Sequence, residues 1–195
     1  HPTHTPIYLS GCTGTGKSHL LQATYHGLKD QGMRVNYIDP LTLDTTTTDP
    51  FKTHNQPTCY LLDHFDTVMI TVKQQAQFVE YFNRIQADAH KLIIATRRAP
   101  DSWQDQLLPD CYTRLKQMLC FMIEPLDDQQ KMQALFKKLT QCGVALNPTK
   151  MNYLIQHAPR DMGRLNQIIK QLDRMSLTQQ TTISFAMIKA CLSRQ

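Results

Sequence analysis

Residues 7–18 read Ile-Tyr-Leu-Ser-Gly-Cys-Thr-Gly-Thr-Gly-Lys-Ser, and this stretch constrains the fold more than any other. Gly11 and Gly16 are separated by four residues, and Lys17 and Ser18 follow at once. The pattern G-x-x-x-x-G-K-[ST] is that of a phosphate-binding P-loop. Its flanks agree. Ile7-Tyr8-Leu9 is a short apolar run that reads as a buried strand, and His19–Ala23 begins an apolar pattern of helical period. Glycines let the backbone curl so that successive N–H groups point at one anion. The helix behind them adds its positive dipole end. Lys17 supplies a charge for the outer phosphates, and the Ser18 hydroxyl is placed to ligate magnesium. A strand–loop–helix start of this kind calls for an α/β fold with a parallel sheet.

The chain has 195 residues, enough for one domain or one and a half with a real core. No apolar run approaches the ~18 residues of a membrane span. The start, His1-Pro2-Thr3-His4, has neither the basic nor the apolar part of a signal peptide. A first strand within six residues of His1 leads us to expect lost upstream sequence. The six cysteines are scattered with no C-x-x-C pair, and the eight histidines show no ligand spacing. They read as reduced thiols of a cytoplasmic protein, not as disulfides or a zinc site. A net charge of +5, spread along the chain, fits either a solvated surface or an acidic partner such as nucleic acid.

Further strands are expected at Val35–Asp39, Cys59–Asp63, Leu92–Thr96 and Met118–Ile123, with helices between them. The segment 41–57, rich in Thr, Asp and Pro, reads as a loop or short irregular helix. Cys59-Tyr60-Leu61-Leu62-Asp63 has the form of a Walker B strand, an apolar run ending in a carboxylate that holds magnesium. The stripe Phe78, Tyr81, Phe82 and Ile85 on a helix over 74–90 reads as core, not as a base-stacking platform. From Asp127 the pattern is all-helical: 127–141, 147–157, 160–176 with Leu165, Ile168, Ile169 and Leu172 in register, and 183–192. The expected architecture is a five-stranded parallel sheet with helices on both faces, residues 1–125, followed by a small all-α lid, residues 126–195.

In this order and spacing the motifs resemble the AAA+ module of DnaA-type replication initiators, and still more the Hda-type regulators that inactivate those initiators. Gly16-Lys17-Ser18-His19-Leu20-Leu21 is similar to that family's G-K-[ST]-H-L-L. Leu108–Leu115 resembles its arginine-finger segment, and Glu124–Asp128 with Met132–Leu135 resembles the Hda pattern P-L-x-D-x-x-K-x-x-A-L. The resemblance implies that Gly11, Thr13, Gly14, Thr15, Gly16, Lys17, Ser18 and His19 bind ADP or ATP. It implies Mg2+ held by Ser18 and Asp63, Thr96 as the sensor-1 group, and Arg114 as a finger reaching a neighbouring subunit's nucleotide. A surface salt bridge is the competing role for Arg114. The implied partners are the initiator DnaA, a sliding clamp bound through a motif upstream of His1, and a homo-oligomeric neighbour. Nonspecific contact with DNA stays open.

Three departures stand out. His64 follows Asp63 where active AAA+ ATPases carry an acidic residue that polarises water. Arg97 stands where the family has an Asp. The sensor-2 arginine falls at Gly163, with Arg164 one place later and Arg160 three earlier; Arg164 is the choice. Together they lead us to expect weak intrinsic hydrolysis. Two functions follow: a nucleotide-binding regulator that acts through Arg114 on an initiator's ATP, or an autonomous AAA+ ATPase of the helicase-loader kind. A DNA-reading initiator is disfavoured, because the chain stops at Gln195 just after the lid.

Overall fold

A computed structural model describes residues 5–41, 59–141, 146–158 and 162–193. Five strands, β1 (Ile7–Ser10), β2 (Val35–Ile38), β3 (Cys59–Leu62), β4 (Lys91–Thr96) and β5 (Leu119–Met122), form one sheet in the order β2-β3-β4-β1-β5. Every neighbouring pair is parallel. The first three helices are α1 (Lys17–Asp30), α2 (Val72–Ala87) and α3 (Pro109–Lys116). The segment read as loop or irregular helix, 41–57, lies outside the described residues apart from Leu41.

Strand order and handedness decide which face each helix covers. Crossovers between parallel strands are right-handed in nearly all sheets. The step β1–α1–β2 runs toward the β2 edge, whereas β3–α2–β4 and β4–α3–β5 run the other way. α1 therefore covers one face and α2 with α3 the other. The strands' two-residue period shows the same split. Tyr8, Tyr60, Leu62, Leu92 and Ile94 pack with Phe78, Tyr81, Phe82 and Ile85 of α2 and with Cys111 and Leu115 of α3. Leu9, Cys59, Leu61 and Ala95 pack with Leu21, Tyr25 and Leu28 of α1. The stripe on α2 is thus core, buried at all four positions.

Local chemistry sets the ends. α2 begins at Val72, two residues before the sequence reading, because Thr71 and Gln74 form a capping box. The Gln74 N–H donates to the Thr71 hydroxyl and the Thr71 N–H to Gln74 Oε1. Two short 3-10 segments, Phe65–Val68 and Pro100–Gln106, follow β3 and β4 and had no periodic signal in the sequence. β5 is an edge strand, paired to β1 on one side, and all four of its residues are exposed despite their apolarity.

The chain divides into two compact units, His1–Pro125 and Leu126–Gln195. The second contains α4 (Asp128–Gln141), α5 (Pro148–His157), α6 (Met162–Gln179) and α7 (Phe185–Ser193) around a core of Leu139, Leu154, Ile168, Ile169, Leu172 and Ile188. The Leu165 side chain lies outside the described ones. Asn147 caps α5 by accepting from the Lys150 N–H, with Pro148 in the first turn. Among the described residues, no helix is long and apolar enough to cross a membrane.

Candidate functional site

Gly11, Asp63 and Thr96 stand at or just past the carboxyl ends of β1, β3 and β4, three strands adjacent in the sheet. β1 is also where the connections change direction, the place where open α/β sheets leave a crevice. The loop from Gly11 to Gly16 is stitched by its own backbone. The Thr15 hydroxyl donates to the Cys12 carbonyl at 3.0 Å. Two positions need glycine. A Cβ at Gly11 would drive into the Ile123 carbonyl oxygen. Gly16, at φ 95° and ψ 10°, is left-handed and opens α1.

Lys17 is buried and folds back on the loop. Its Nζ donates to the carbonyls of Gly11 and Cys12, both at 2.7 Å, with Thr15 Oγ1 at 3.4 Å. Burial holds its pKa below the usual lysine value, while the carboxylates of Asp63 and Asp66 pull it back up. Ser18 is half-buried in the first turn of α1, and Thr13, Gly14 and His19 are exposed.

Asp63 is 2% exposed and accepts two hydrogen bonds. Tyr37 Oη donates to Oδ2 at 2.8 Å, and the His64 N–H donates to Oδ1 at 2.8 Å. Burial, then the bond to Asp63, raises the Tyr37 pKa, so the phenol stays a donor. Thr96 is buried at the end of β4, opposite Ser10, and its hydroxyl accepts from the Arg98 N–H at 3.2 Å.

Two of the three departures have partners invisible in the sequence. His64 is left-handed at φ 46°, and its Nδ1 lies 3.0 Å from Asp39 Oδ1, just past the end of β2. The imidazole is drawn toward the β2 edge, on the side of β3 away from β1 and its loop. Arg97 Nε donates to Asp66 Oδ2 at 2.6 Å, and its Nη2 meets the same oxygen at 2.6 Å. Asp66 comes from the 3-10 turn after β3, one of the elements the sequence reading missed. As for the third, Arg164 is exposed in the first turn of α6, in the second unit, and Arg160 lies outside the described residues.

Arg114 is not brought to this cluster. It sits half-buried on α3, where Nε donates to Asn83 Oδ1 of α2 at 3.1 Å. It lines an open depression of about 600 Å³ with Thr5, Pro6, Phe82, Asn83, Gln86 and Gln117. Thr5 and Pro6 precede β1, so Arg114 marks the amino-terminal edge of the sheet and the P-loop the opposite one.

The residues present fit a nucleotide. No side chain caps α1, and its first turn carries no acid, so its terminal N–H groups are left for an anion. α2 and α5, by contrast, are capped by their own side chains. Among the described residues no three His, Cys, Asp or Glu side chains converge as a metal site. Magnesium here would therefore need phosphate oxygens beside Ser18 and Asp63, its usual manner in such sites.

A family model of the bacterial DnaA ATPase domain matches residues 1–121. The chain belongs to the bacterial DnaA ATPase family. A second model, the lid domain of Hda, matches residues 128–192. This family member is 26% identical over 187 residues to an uncharacterized protein of Haemophilus influenzae, covering 96% of this chain and 81% of that one. Its AAA+ fold is that of domain III of the Thermotoga maritima replication initiation protein DnaA. The TM-score is 0.81 at 19% identity, over 100% of this chain and 86% of that one. A replication initiator DnaA solved with AMPPCP and single-stranded DNA matches with a TM-score of 0.69 at 23% identity. That match covers 90% of this chain and 58% of that one.

Proposed function

We propose that this chain is a nucleotide-binding regulator of DNA replication initiation. It holds ADP or ATP with Mg2+ at residues 11–19 and stimulates ATP hydrolysis by a DnaA-type initiator through Arg114. The supporting observation is the separation of the two ends of the sheet. Arg114 stands beside Thr5 and Pro6, away from the loop that follows β1, so any phosphate it meets belongs to a neighbour. Asn83 holds the inner N–H of the guanidinium, which leaves the terminal N–H groups for such a ligand. A guanidinium brought to a transferring phosphoryl group stabilises the charge spreading over its oxygens. Lys17 and the loop N–H groups would hold the chain's own nucleotide, and Asp63 with Ser18 would help hold the metal, which would offset the charge of the phosphates. Thr96 completes the nucleotide contacts of the first unit in this reading. Slow intrinsic turnover follows from His64, which is tied to Asp39 in the place of a water-polarising acid. The neighbour solved with AMPPCP supports an adenine nucleotide, and its single-stranded DNA keeps nonspecific DNA contact within the reading.

The test measures phosphate release by this chain alone, by an ATP-loaded DnaA initiator alone, and by the mixture, for wild type and Arg114→Ala. We expect slow release from each alone and fast release from the wild-type mixture only. Brisk magnesium-dependent hydrolysis by the isolated chain, with a mixture indifferent to Arg114→Ala, would make it an autonomous ATPase instead.

A further inference from the structure

Asp39, Asp63 and Asp66 all stand at the carboxyl end of the sheet, and they are held in different ways. Asp39 faces the His64 imidazole at 3.0 Å, and Asp66 is paired with the Arg97 guanidinium. Among the described residues, Asp63 accepts hydrogen bonds from uncharged donors alone, the Tyr37 phenol and the His64 main-chain N–H. The His64 ring stays 3.7 Å from Asp63 Oδ1. The Lys17 ammonium is held on the Gly11 and Cys12 carbonyls and acts on Asp63 through space. A carboxylate only 2% exposed is costly to keep ionised unless its charge is offset. Asp63 is thus oriented without being neutralised by a direct ion pair, and its charge is left for a cation.

The side chain that orients it is Tyr37. This residue lies on the α1 face of β2, opposite Leu61 of β3, and Asp63 comes two residues after Leu61. The Asp63 N–H donates to the Ile38 carbonyl at 2.8 Å, which fixes the root of the carboxylate beside the ring. The Tyr25 ring of α1 meets the Tyr37 ring edge-on, with centroids 6.1 Å apart. Gln22 of α1, one helical turn from Ser18, hydrogen-bonds the same phenol. The phenol therefore reaches both elements that carry the magnesium-side residues, Ser18 on α1 and Asp63 after β3.

We propose that Tyr37 is a positioning residue for Mg2+: its hydroxyl orients the Asp63 carboxylate without neutralising it, so the gain in nucleotide affinity that Mg2+ confers depends on that hydroxyl. This rests on Ser18 and Asp63 holding the metal of a bound nucleotide. Hydrogen-bond partners of a metal-holding carboxylate fix its orientation. A neutral donor suits this place. A lysine or arginine there would hold the carboxylate as firmly, but would offset the charge that draws the cation.

The experiment measures the affinity for AMPPCP by calorimetry, once with Mg2+ and once with EDTA. It compares the full chain with Tyr37→Phe, Asp63→Asn and the double variant. Asp63→Asn is expected to abolish most of the gain that Mg2+ gives. Tyr37→Phe keeps the ring and loses the hydroxyl. It should cut the gain about tenfold, while affinity in EDTA changes less than about twofold. On the Asp63→Asn background, Tyr37→Phe should remove no further gain. If Tyr37→Phe weakens binding equally with Mg2+ and with EDTA, or lowers the melting temperature with the gain unchanged, the hydroxyl serves the fold alone and the proposal is wrong. If Asp63→Asn leaves the gain intact, the reading of Asp63 as a metal-holding residue fails first and takes this one with it.

Discussion

At the carboxyl ends of β1, β3 and β4 the polar side chains are bonded to side-chain and main-chain groups nearby. Lys17 lies on Gly11 and Cys12, Asp63 holds Tyr37 and His64, and Arg97 holds Asp66. At the amino-terminal edge Arg114 has Asn83 and an open depression. One end is tied together by bonds within the chain. The other presents a charged group to the outside, as action on a second molecule requires. The proposed regulator needs both, and the sheet keeps them a strand length apart.

Substitutions at each end should separate these roles. The largest effect is expected for Arg114→Ala, with stimulated hydrolysis in the initiator mixture falling on the order of 10³-fold or more. Its nucleotide affinity should stay near wild type; if calorimetry shows that affinity falling too, the two ends are not independent. Lys17→Ala comes next. ADP affinity should drop on the order of 100-fold, since charge-assisted bonds to the phosphates are lost, and the rise in melting temperature with added ADP should vanish. Gly11→Ala forces a methyl into the Ile123 carbonyl and should destabilise the fold by about 1–3 kcal/mol, read by denaturant unfolding. The smallest change is Tyr37→Phe, which removes one of the two bonds to Asp63 and should cost about 1 kcal/mol. Stimulation through Arg114 is expected to survive it, and a loss there would tie the two ends together.

The order of strands and helices was legible in the sequence because each element is signalled locally. The P-loop, the α2 stripe and the Asn147-Pro148 start of α5 are patterns within a few residues of each other. What stayed hidden is long-range pairing. In the sequence His64 is a weakened catalytic position and no more, because its bond to Asp39 spans 25 residues. Arg97 reads only as a departure, since its partner Asp66 lies 31 residues away on a turn too short for periodicity. Asn83 was passed over inside the α2 stripe, since a polar residue on a helix gives no sign of which neighbouring helix it faces; it too is 31 residues from its partner. The strand expected at 118–123 forms as β5, but its apolarity gave no sign that Leu119, Phe121 and Met122 are exposed at the sheet edge.

The Gly11 contact has a mechanical side. Where the loop begins, the Ile123 N–H donates to the Ser10 carbonyl at 2.7 Å, and the Ile123 carbonyl fills the space a Gly11 side chain would take. The first unit ends two residues later, at Pro125. The strap leading to the helical unit is therefore fastened by main-chain atoms to the root of the phosphate loop. A peptide plane that turns at Gly11 turns against that fastening, so the loop's shape is felt at residue 123 whatever side chains surround it.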